Sequence, residues 1–291
     1  MKKIRLLSMA AIILAAVLWG TISIFTRYFN SIGVGATEMI SSRAVITILS
    51  LLIFLSIYDR SLLKIRLKDL WIFIGTGLFS FTFFNYCYLN SISENSVAVA
   101  AILLYTAPIW VTAVSVPVFK DRVDGRKILC LGMVIVGCVM VSLSGNIAMT
   151  GKGLLLGLGS GLGYALYTIF SRIALNRGYH SLTITFYTFL VVGICTLPVS
   201  NFNSIALIFS SSHSTLMIIG MAFCSMIFPY IFYNMGLKNI KPSVASMVST
   251  IEPVTAAILG WAIFGETLGV ISILGIIVVL GAVCLLNADS Q

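Results

Sequence analysis

The sequence predicts an all-α integral membrane protein whose ten transmembrane helices form two inverted-topology repeats of five helices each. Three observations lead to this fold: an apolar composition, ten apolar runs of spanning length, and a constant offset between the two halves. Hydrophobic residues make up 59% of the 291 residues and charged residues only 9%, far from the range of soluble globular proteins. The runs are apolar on every face, whereas strands of membrane barrels alternate, so helices are expected.

Short polar breaks separate the apolar runs, and each run is long enough to cross a bilayer. The first run follows Lys2, Lys3 and Arg5, as in a signal peptide, but it continues to Tyr28 without a clean cleavage site. We therefore expect it to remain as a span. The predicted spans are 8–28, 36–57, 70–89, 97–118, 127–144, 153–173, 181–200, 215–236, 243–264 and 268–287.

The basic residues indicate how the chain is oriented in the membrane. With a cytoplasmic N-terminus, 15 of the 18 lysines and arginines lie in cytoplasmic segments, and the exceptions are Arg27, Arg43 and Lys152. The positive-inside rule then predicts a multi-pass protein of the cytoplasmic (plasma) membrane with both termini in the cytoplasm. The net charge of +9 does not predict a nucleic-acid partner, because the basic residues form no patch interleaved with aromatic residues.

A shift of 145 residues superimposes the two halves of the sequence without a gap. It pairs Ile24-Phe25-Thr26-Arg27 with Ile169-Phe170-Ser171-Arg172, and Pro108 with Pro253. The predicted repeats are residues 1–145, with spans 1 to 5, and residues 146–291, with spans 6 to 10. Because five is odd, the second repeat enters the membrane from the opposite side. Inverted repeats are typical of secondary transporters, whose substrate sites lie between the repeats near the midplane.

Pro108 and Pro253 occupy equivalent positions near the centres of spans 4 and 9. A proline cannot donate to the carbonyl four residues earlier, so the carbonyls of Leu104 and Ser249 are expected to be free and the helices to kink. Non-helical backbone at this depth is tolerated where it lines a cavity. We expect the two prolines to act as kink or gating residues, or alternatively only to improve packing.

Two charges fall inside predicted spans, Arg43 in span 2 and Glu252 in span 9. Their depths differ by only about 5 to 10 Å, because a helix rises 1.5 Å per residue. The two can therefore form a salt bridge or share a polar cavity. Their repeat mates, Thr188 and Ala107, are uncharged, so the charges break the internal symmetry. They are candidates for substrate binding or coupling, and a structural ion pair is the alternative.

Polar aromatic and amide side chains also lie within the spans, where a hydroxyl or an amide requires a partner. They suit a cavity for an organic solute with apolar and polar parts. The candidates are Trp19, its repeat mate Tyr164, Asn85, Tyr86, Tyr105, Tyr230 and Asn234. For each of them, packing or an interfacial anchor is the alternative role.

Small residues recur every fourth position in span 6, at Gly153, Gly157, Gly161 and Ala165, which favours close approach of another helix.

The sequence contains no HExxH, GxSxG or P-loop pattern, so no enzyme activity and no cofactor are expected. The six cysteines show no metal-ligand spacing, and we expect no metal site and interpret them as small core residues.

The motifs together resemble the drug/metabolite transporter superfamily, EamA type. They are Trp19-Gly20, Arg43, Glu252-Pro253, Gly260-Trp261, Gly265-Glu266-Thr267-Leu268, and the pattern from Leu274-Gly275 to Leu280-Gly281. The resemblance covers all ten spans. It implies two EamA repeats, a central cavity lined by spans 1 to 4 and 6 to 9, and peripheral spans 5 and 10.

The resemblance also implies movement of small organic solutes, often amino acids or related metabolites, and frequently outward. In the first repeat, Ala107 replaces the acid before Pro108, and Phe119-Lys120-Asp121-Arg122 replaces a Gly-Glu-Arg-like turn. A symmetric mechanism with two carboxylates is therefore not expected.

The resulting hypothesis is a secondary-active exporter of a small organic metabolite that works by alternating access, with a proton as a further possible partner. It would act as a monomer or a homodimer in the lipid bilayer. The alternatives are a non-transporting membrane sensor or assembly factor on the same scaffold, and a permease for nucleotide sugars or other solutes.

Overall fold

The computed structural model describes residues 2–142 and 150–288, and these residues form helices joined by short connections, without any strand. Among them, nine helices are long and apolar enough to cross a membrane. These are span 1 to span 9 in chain order: Lys3–Ser31, Ala36–Tyr58, Leu67–Glu94, Val97–Phe119, Gly125–Ser142, Gly151–Asn176, Ser181–Val199, Ser212–Leu237 and Pro242–Phe264.

The tenth predicted span is a shorter apolar helix in the structure, Val270–Leu286, called helix 10 below. The predicted boundaries of the other spans differ from the observed ones by five residues or fewer. The end of predicted span 127–144 and the predicted repeat boundary at 145/146 lie outside the described residues. The protein is therefore a multi-pass, all-helical membrane protein, with nine long spans within the described ranges.

The helices pack in pairs that correspond to each other under the shift of 145 residues. Span 3 packs along span 6, and their repeat mates, span 8 and span 1, pack along each other as well. Span 2 contacts span 7, span 4 contacts span 9, and span 5 contacts helix 10, so that each packs on its own repeat mate. The glycines agree with this pattern, because Gly75 lies against Phe170 and its mate Gly220 lies against Phe25. An approximate twofold relation between the halves requires such reciprocal contacts.

Irregular backbone also recurs at equivalent positions. Span 3 contains a π-helical segment, Gly75–Thr82, and span 8 contains another, Phe223–Ile227. Each π segment widens the helix and turns the following side chains to a new direction, a feature often found at functional sites. Both segments border the cavity described below, to which they contribute Phe81 and Ser225.

Spans 4 and 9 end in the same way, although their sequences differ there. Span 4 is followed by Lys120 in the left-handed conformation, with φ of 52°, and span 9 by its mate Gly265, with φ of 67°. The next amide, of Asp121 or Glu266, donates to the carbonyl six residues back, at 3.2 Å in both helices. Glycine adopts this conformation without strain, whereas lysine does so at some cost. The departure from the family pattern at Lys120 therefore leaves the backbone geometry intact.

The small residues of span 6 contact other helices closely, as their spacing predicts. A Cβ on Gly157 would lie 2.3 Å from the Leu103 side chain, and one on Gly161 would lie 2.8 Å from the Leu103 carbonyl oxygen.

Of the cysteines, Cys87, Cys130 and Cys138 are buried, but Cys284 is exposed. The interpretation of every cysteine as a core residue is wrong for Cys284, because it lies on the outward face of helix 10.

We expect Gly161→Ala to destabilise the fold by about 1 to 3 kcal/mol, the usual cost of overpacking a core. The new methyl group would press on backbone carbonyls of span 4, which cannot move aside as a flexible side chain can. Thermal unfolding in detergent measures the effect. Gly132→Ala is the control, because no atom of another helix lies within 4 Å of its Cβ position. Equal melting temperatures for the two variants would contradict the close contact.

Candidate functional site

A cavity of about 410 Å³ lies between the two halves of the molecule. Its walls come from spans 1 to 4, 6, 8 and 9. Seven of the residues predicted from the sequence line it: Trp19, Arg43, Asn85, Tyr105, Tyr164, Tyr230 and Glu252. One anionic and one cationic side chain therefore share a single cavity with several aromatic side chains.

Glu252 lies at the beginning of a half-helix in the middle of span 9. The first half, Pro242–Val248, ends at a turn formed by Ser249 and Thr250, and the second half, Ile251–Phe264, starts directly before Glu252. The positive end of the helix dipole stabilises a carboxylate in this first turn. The backbone thus provides part of the environment that a carboxylate needs within a membrane.

The prolines act differently from the kinks expected from the sequence. Pro253 and Pro108 both occupy the first turn of a second half-helix, where a missing N–H costs nothing. Span 4 is interrupted in the same way, between Val97–Leu104 and Ala107–Phe119. The expectation of a free Ser249 carbonyl is wrong, because the Glu252 N–H donates to it at 3.0 Å. Both spans are discontinuous helices, a design that transporters use at their binding sites.

The Glu252 carboxylate accepts a hydrogen bond from the Tyr164 hydroxyl at 2.9 Å. Tyr164 belongs to span 6 and Glu252 to span 9, so the bond joins two helices of the second half at the cavity wall. Each carboxylate oxygen can accept more than one hydrogen bond. The carboxylate can therefore bind a cationic ligand group while it keeps its bond to Tyr164.

Arg43 is 7% exposed, and its guanidinium is held in place by two hydrogen bonds. Nε donates to the Met39 carbonyl at 3.2 Å and Nη1 donates to the Ser225 hydroxyl at 2.8 Å. Within residues 2–142 and 150–288, no ion pair joins Arg43 to Glu252. The structural ion pair considered for these two residues is absent from that part of the chain. A guanidinium has five N–H donors, so it can also bind a carboxylate of a ligand.

Aromatic rings form the floor of the cavity. Trp19 and its repeat mate Tyr164 are in edge contact, with ring centroids 6.3 Å apart. Trp19 also contacts Tyr230 at 5.3 Å, and Tyr230 contacts Tyr167 at 4.8 Å. Edge-to-face contacts of this kind stabilise a rigid cluster. The cluster offers ring faces and edges to the apolar part of a ligand.

Two predicted site residues do not line the cavity. The side chain of Tyr86 is 63% exposed on the outer surface, because a step of one residue from Asn85 turns the side chain by about 100°. Asn234 is fully buried below the cavity and donates to the Tyr167 hydroxyl at 2.7 Å. Pro108 and Pro253 are buried in packing at the helix breaks and shape the cavity only through the backbone.

Several cavity residues were not among the predicted site residues. Ser225 and the rings of Phe81 and Phe84 line the cavity. The shift of 145 residues aligns Ser225 with Ser80, so the repeat contained a signal for Ser225. The phenylalanines carry no polar group that would set them apart from core residues.

The cavity extends from the middle of the protein to one side only. Tyr164, Ser225, Tyr230 and Glu252 lie at or near the middle of their spans. The other lining residues come from the second half of spans 1, 3 and 9 and from the first half of spans 2, 4 and 8. Because successive spans run in opposite directions, these segments all lie on the side away from the N-terminus. The other side, which we call the N-terminal side, is filled by packed residues such as Met9, Ile12 and Val248.

Polar contacts connect the helix ends on the N-terminal side. Lys127 pairs with Asp121 at 2.8 Å, and Ser243 of span 9 donates to the same carboxylate. Arg172 donates to the Leu237 carbonyl at the end of span 8. Burial by itself would raise the pKa of Asp121, but the hydrogen bonds from Lys127 and Ser243 hold that pKa below its ordinary value. Asp121 is therefore ionised near neutral pH and bridges spans 5 and 9.

Comparison with known proteins agrees with this architecture. The EamA-like transporter family matches residues 6–143 and again residues 151–288. An uncharacterized transporter of Archaeoglobus fulgidus is 31% identical over 260 residues, covering 89% of this chain and 88% of that protein. The uncharacterized transporter YyaM of Bacillus subtilis is 24% identical over 230 residues, covering 76% and 73%. A solved crystal structure superimposes with a TM-score of 0.81 over 97% of both chains at 14% identity, which supports the fold alone.

Proposed function

Because this chain belongs to the EamA-like transporter family, we propose that it is a secondary-active exporter of an amino acid or a related small metabolite. Transporters of this kind are not enzymes, and this chain is a membrane transporter. The observation that carries the proposal is the shared cavity, in which Arg43 and Glu252 face a common space between the two halves.

The size and chemistry of the cavity support this class of substrate. A volume of about 410 Å³ lies within the usual range of small-molecule pockets, roughly 300 to 1,000 Å³. Arg43 can bind a carboxylate, Glu252 can bind an ammonium group, and the aromatic cluster can pack against an apolar side chain. A nucleotide sugar fits less well, because Arg43 is the only cationic side chain among the described residues that line the cavity.

Alternating access is the mechanism that the duplicated architecture supports best. We propose that residues 1–145 and 146–291 are inverted repeats, as the reciprocal packing of spans 3 with 6 and 8 with 1 suggests. Two such halves can exchange conformations, which closes one side of the cavity and opens the other. The ion pair between Arg27 and Glu266 on the open side corresponds by repeat position to Arg172 and Asp121 on the closed side.

The direction of access follows from the distribution of charge. If the N-terminal side, which carries most lysines and arginines, is cytoplasmic, the termini are cytoplasmic and the cavity opens to the outside. An exporter in this state has released its substrate and is closed toward the cytoplasm. A proton on Glu252 is our proposal for the coupling ion, since no other carboxylate among the described residues lines the cavity.

We expect the purified full chain, reconstituted in vesicles, to move labelled amino acids or related metabolites faster than protein-free vesicles. A pH gradient should change the rate if a proton is coupled. Flux is measured over a panel of amino acids, their amine analogues and nucleotide sugars. A sensor or assembly factor on the same scaffold would move none of them, and that result would overturn the proposal.

A further inference from the structure

A second cavity, of about 390 Å³, lies on the N-terminal side of the molecule. It forms where the ends of spans 1, 5 and 9 meet helix 10, and no residue lines both cavities. Its charged lining residues are Arg5, Arg122, Asp124, Arg126, Lys127 and Lys241. We call this cavity the basic groove.

The basic groove holds more positive than negative charge. It contains five cationic side chains and one carboxylate, that of Asp124. Asp121 lies behind it and pairs with Lys127 at 2.8 Å and with Lys241 at 3.4 Å. Even with both carboxylates counted, an excess of three positive charges remains. The Lys241 side chain is 56% exposed, so its ammonium group is accessible to a ligand.

Two of the three arginines of the groove, Arg5 and Arg126, are positioned by the backbone of helix 10. Arg5 donates to the Leu286 carbonyl at 3.4 Å, and Arg126 donates to the Leu285 carbonyl. Cationic groups at a helix C-terminus are stabilised by the helix dipole. The bond from Arg5 to Leu286 uses one of the five N–H donors of the guanidinium, and this planar group matches the geometry of a phosphate. The groove is thus preorganised for a phosphate anion.

The groove opens beside exposed apolar side chains on the outer surface of the helices. Ile128 and Leu129 follow Lys127 in span 5 and are exposed, and Leu285 of helix 10 is exposed next to the groove. Span 5 and helix 10 pack on each other, and their outer faces are apolar. Basic pockets between membrane helices on the positively charged side bind anionic head groups. A ligand with a phosphate at one end and acyl chains at the other matches both surfaces.

We propose that the basic groove binds the phosphate of an anionic phospholipid, whose acyl chains lie along span 5 and helix 10. The inference is independent of the transported substrate, because it concerns a different cavity. A lipid bound there would contact the ends of spans 1 and 9. Both spans line the substrate cavity at their other halves.

The test is lipid binding by the detergent-purified full chain, measured by native mass spectrometry with added phosphatidylglycerol or phosphatidylcholine. We expect phosphatidylglycerol to bind more tightly. The double variant Arg122→Gln/Lys241→Gln should bind it about 30-fold more weakly, since each basic residue contributes about fivefold near an anionic lipid. The exchange Arg122→Lys/Lys241→Arg keeps both charges and should retain binding.

Arg60→Gln/Lys64→Gln is the matched control, because these two exposed cations lie in the connection between spans 2 and 3, outside the groove. It should bind phosphatidylglycerol like the wild type. Equal loss in the control, or unchanged binding in the groove variant, would overturn the proposal. A second experiment adds inorganic phosphate to the protein with bound phosphatidylglycerol. If phosphate alone displaces the lipid at equal concentration, the groove is a site for a soluble anion, and its assignment to a lipid is wrong.

Discussion

Glu252→Gln protein should transport substrate at a rate that no longer depends on pH, and at least about tenfold more slowly than the wild type. The amide keeps the shape of the side chain and can still accept from Tyr164, but it can neither exchange a proton nor carry a negative charge. A hydrogen bond to a charged group contributes about 1.5 to 3 kcal/mol, which corresponds to about 10- to 100-fold in the affinity for an ammonium group.

The measurement is flux into vesicles over a series of pH values, with and without a pH gradient. Glu94→Gln is the control, because this glutamate lies outside the substrate cavity and its ion pair with Lys152 is accessible to solvent. Exposed pairs contribute about 0 to 1 kcal/mol, so the control should transport nearly like the wild type. A Glu252→Gln protein with the wild-type pH profile would show that coupling does not involve this carboxylate.

Arg43→Gln should weaken the binding of substrates that carry a carboxylate by about 10- to 100-fold, for the same energetic reason. An amine analogue that lacks the carboxylate should lose little affinity, because it never contacts the guanidinium. Arg43→Lys keeps the charge but not the planar set of donors, and an intermediate loss is expected. Binding is measured by the shift in melting temperature and by competition in the flux assay.

A purely structural role for Arg43 predicts a different pattern. The bonds from Arg43 to the Met39 carbonyl and to Ser225 connect spans 2 and 8, so their loss could lower stability without affecting recognition. In that case the carboxylate substrate and the amine analogue would lose affinity equally. Ser225→Ala further separates the structural role of Arg43 from its role in binding, because it removes one hydrogen bond of Arg43 but keeps the guanidinium in the cavity.

The sequence was sufficient to predict nine of the ten spans and the two charged residues of the cavity, Arg43 and Glu252. The apolar runs and the repeat are properties of composition and periodicity, which do not depend on the detailed packing. Arg43 and Glu252 could be identified because a charge within an apolar run requires a special environment. The position of Tyr86 on the outer surface could not be predicted, because a tyrosine is tolerated both at the lipid surface and in the interior, and its residue type does not reveal the direction of its side chain.

Local backbone geometry was harder to predict. The two prolines indicated an irregularity in spans 4 and 9. They did not indicate that each helix ends four or five residues before its proline and starts again one or two residues before it. The π segments in spans 3 and 8 have no distinct sequence signal, and the one in span 8 contains Ser225, which accepts a hydrogen bond from Arg43. The basic groove combines residues from four separate segments, which only the folded chain brings together.

The contact between Trp19 and Tyr164 has a geometric consequence. In the inverted-repeat arrangement proposed above, two repeat mates that touch each other lie next to the axis that relates the halves. Points on this axis keep their place when the halves exchange conformations. Under alternating access, the open side of the cavity would close and the N-terminal side would open, while this pair of rings stays in the middle. A bound solute would therefore rest on the same two rings whichever side of the membrane it faces.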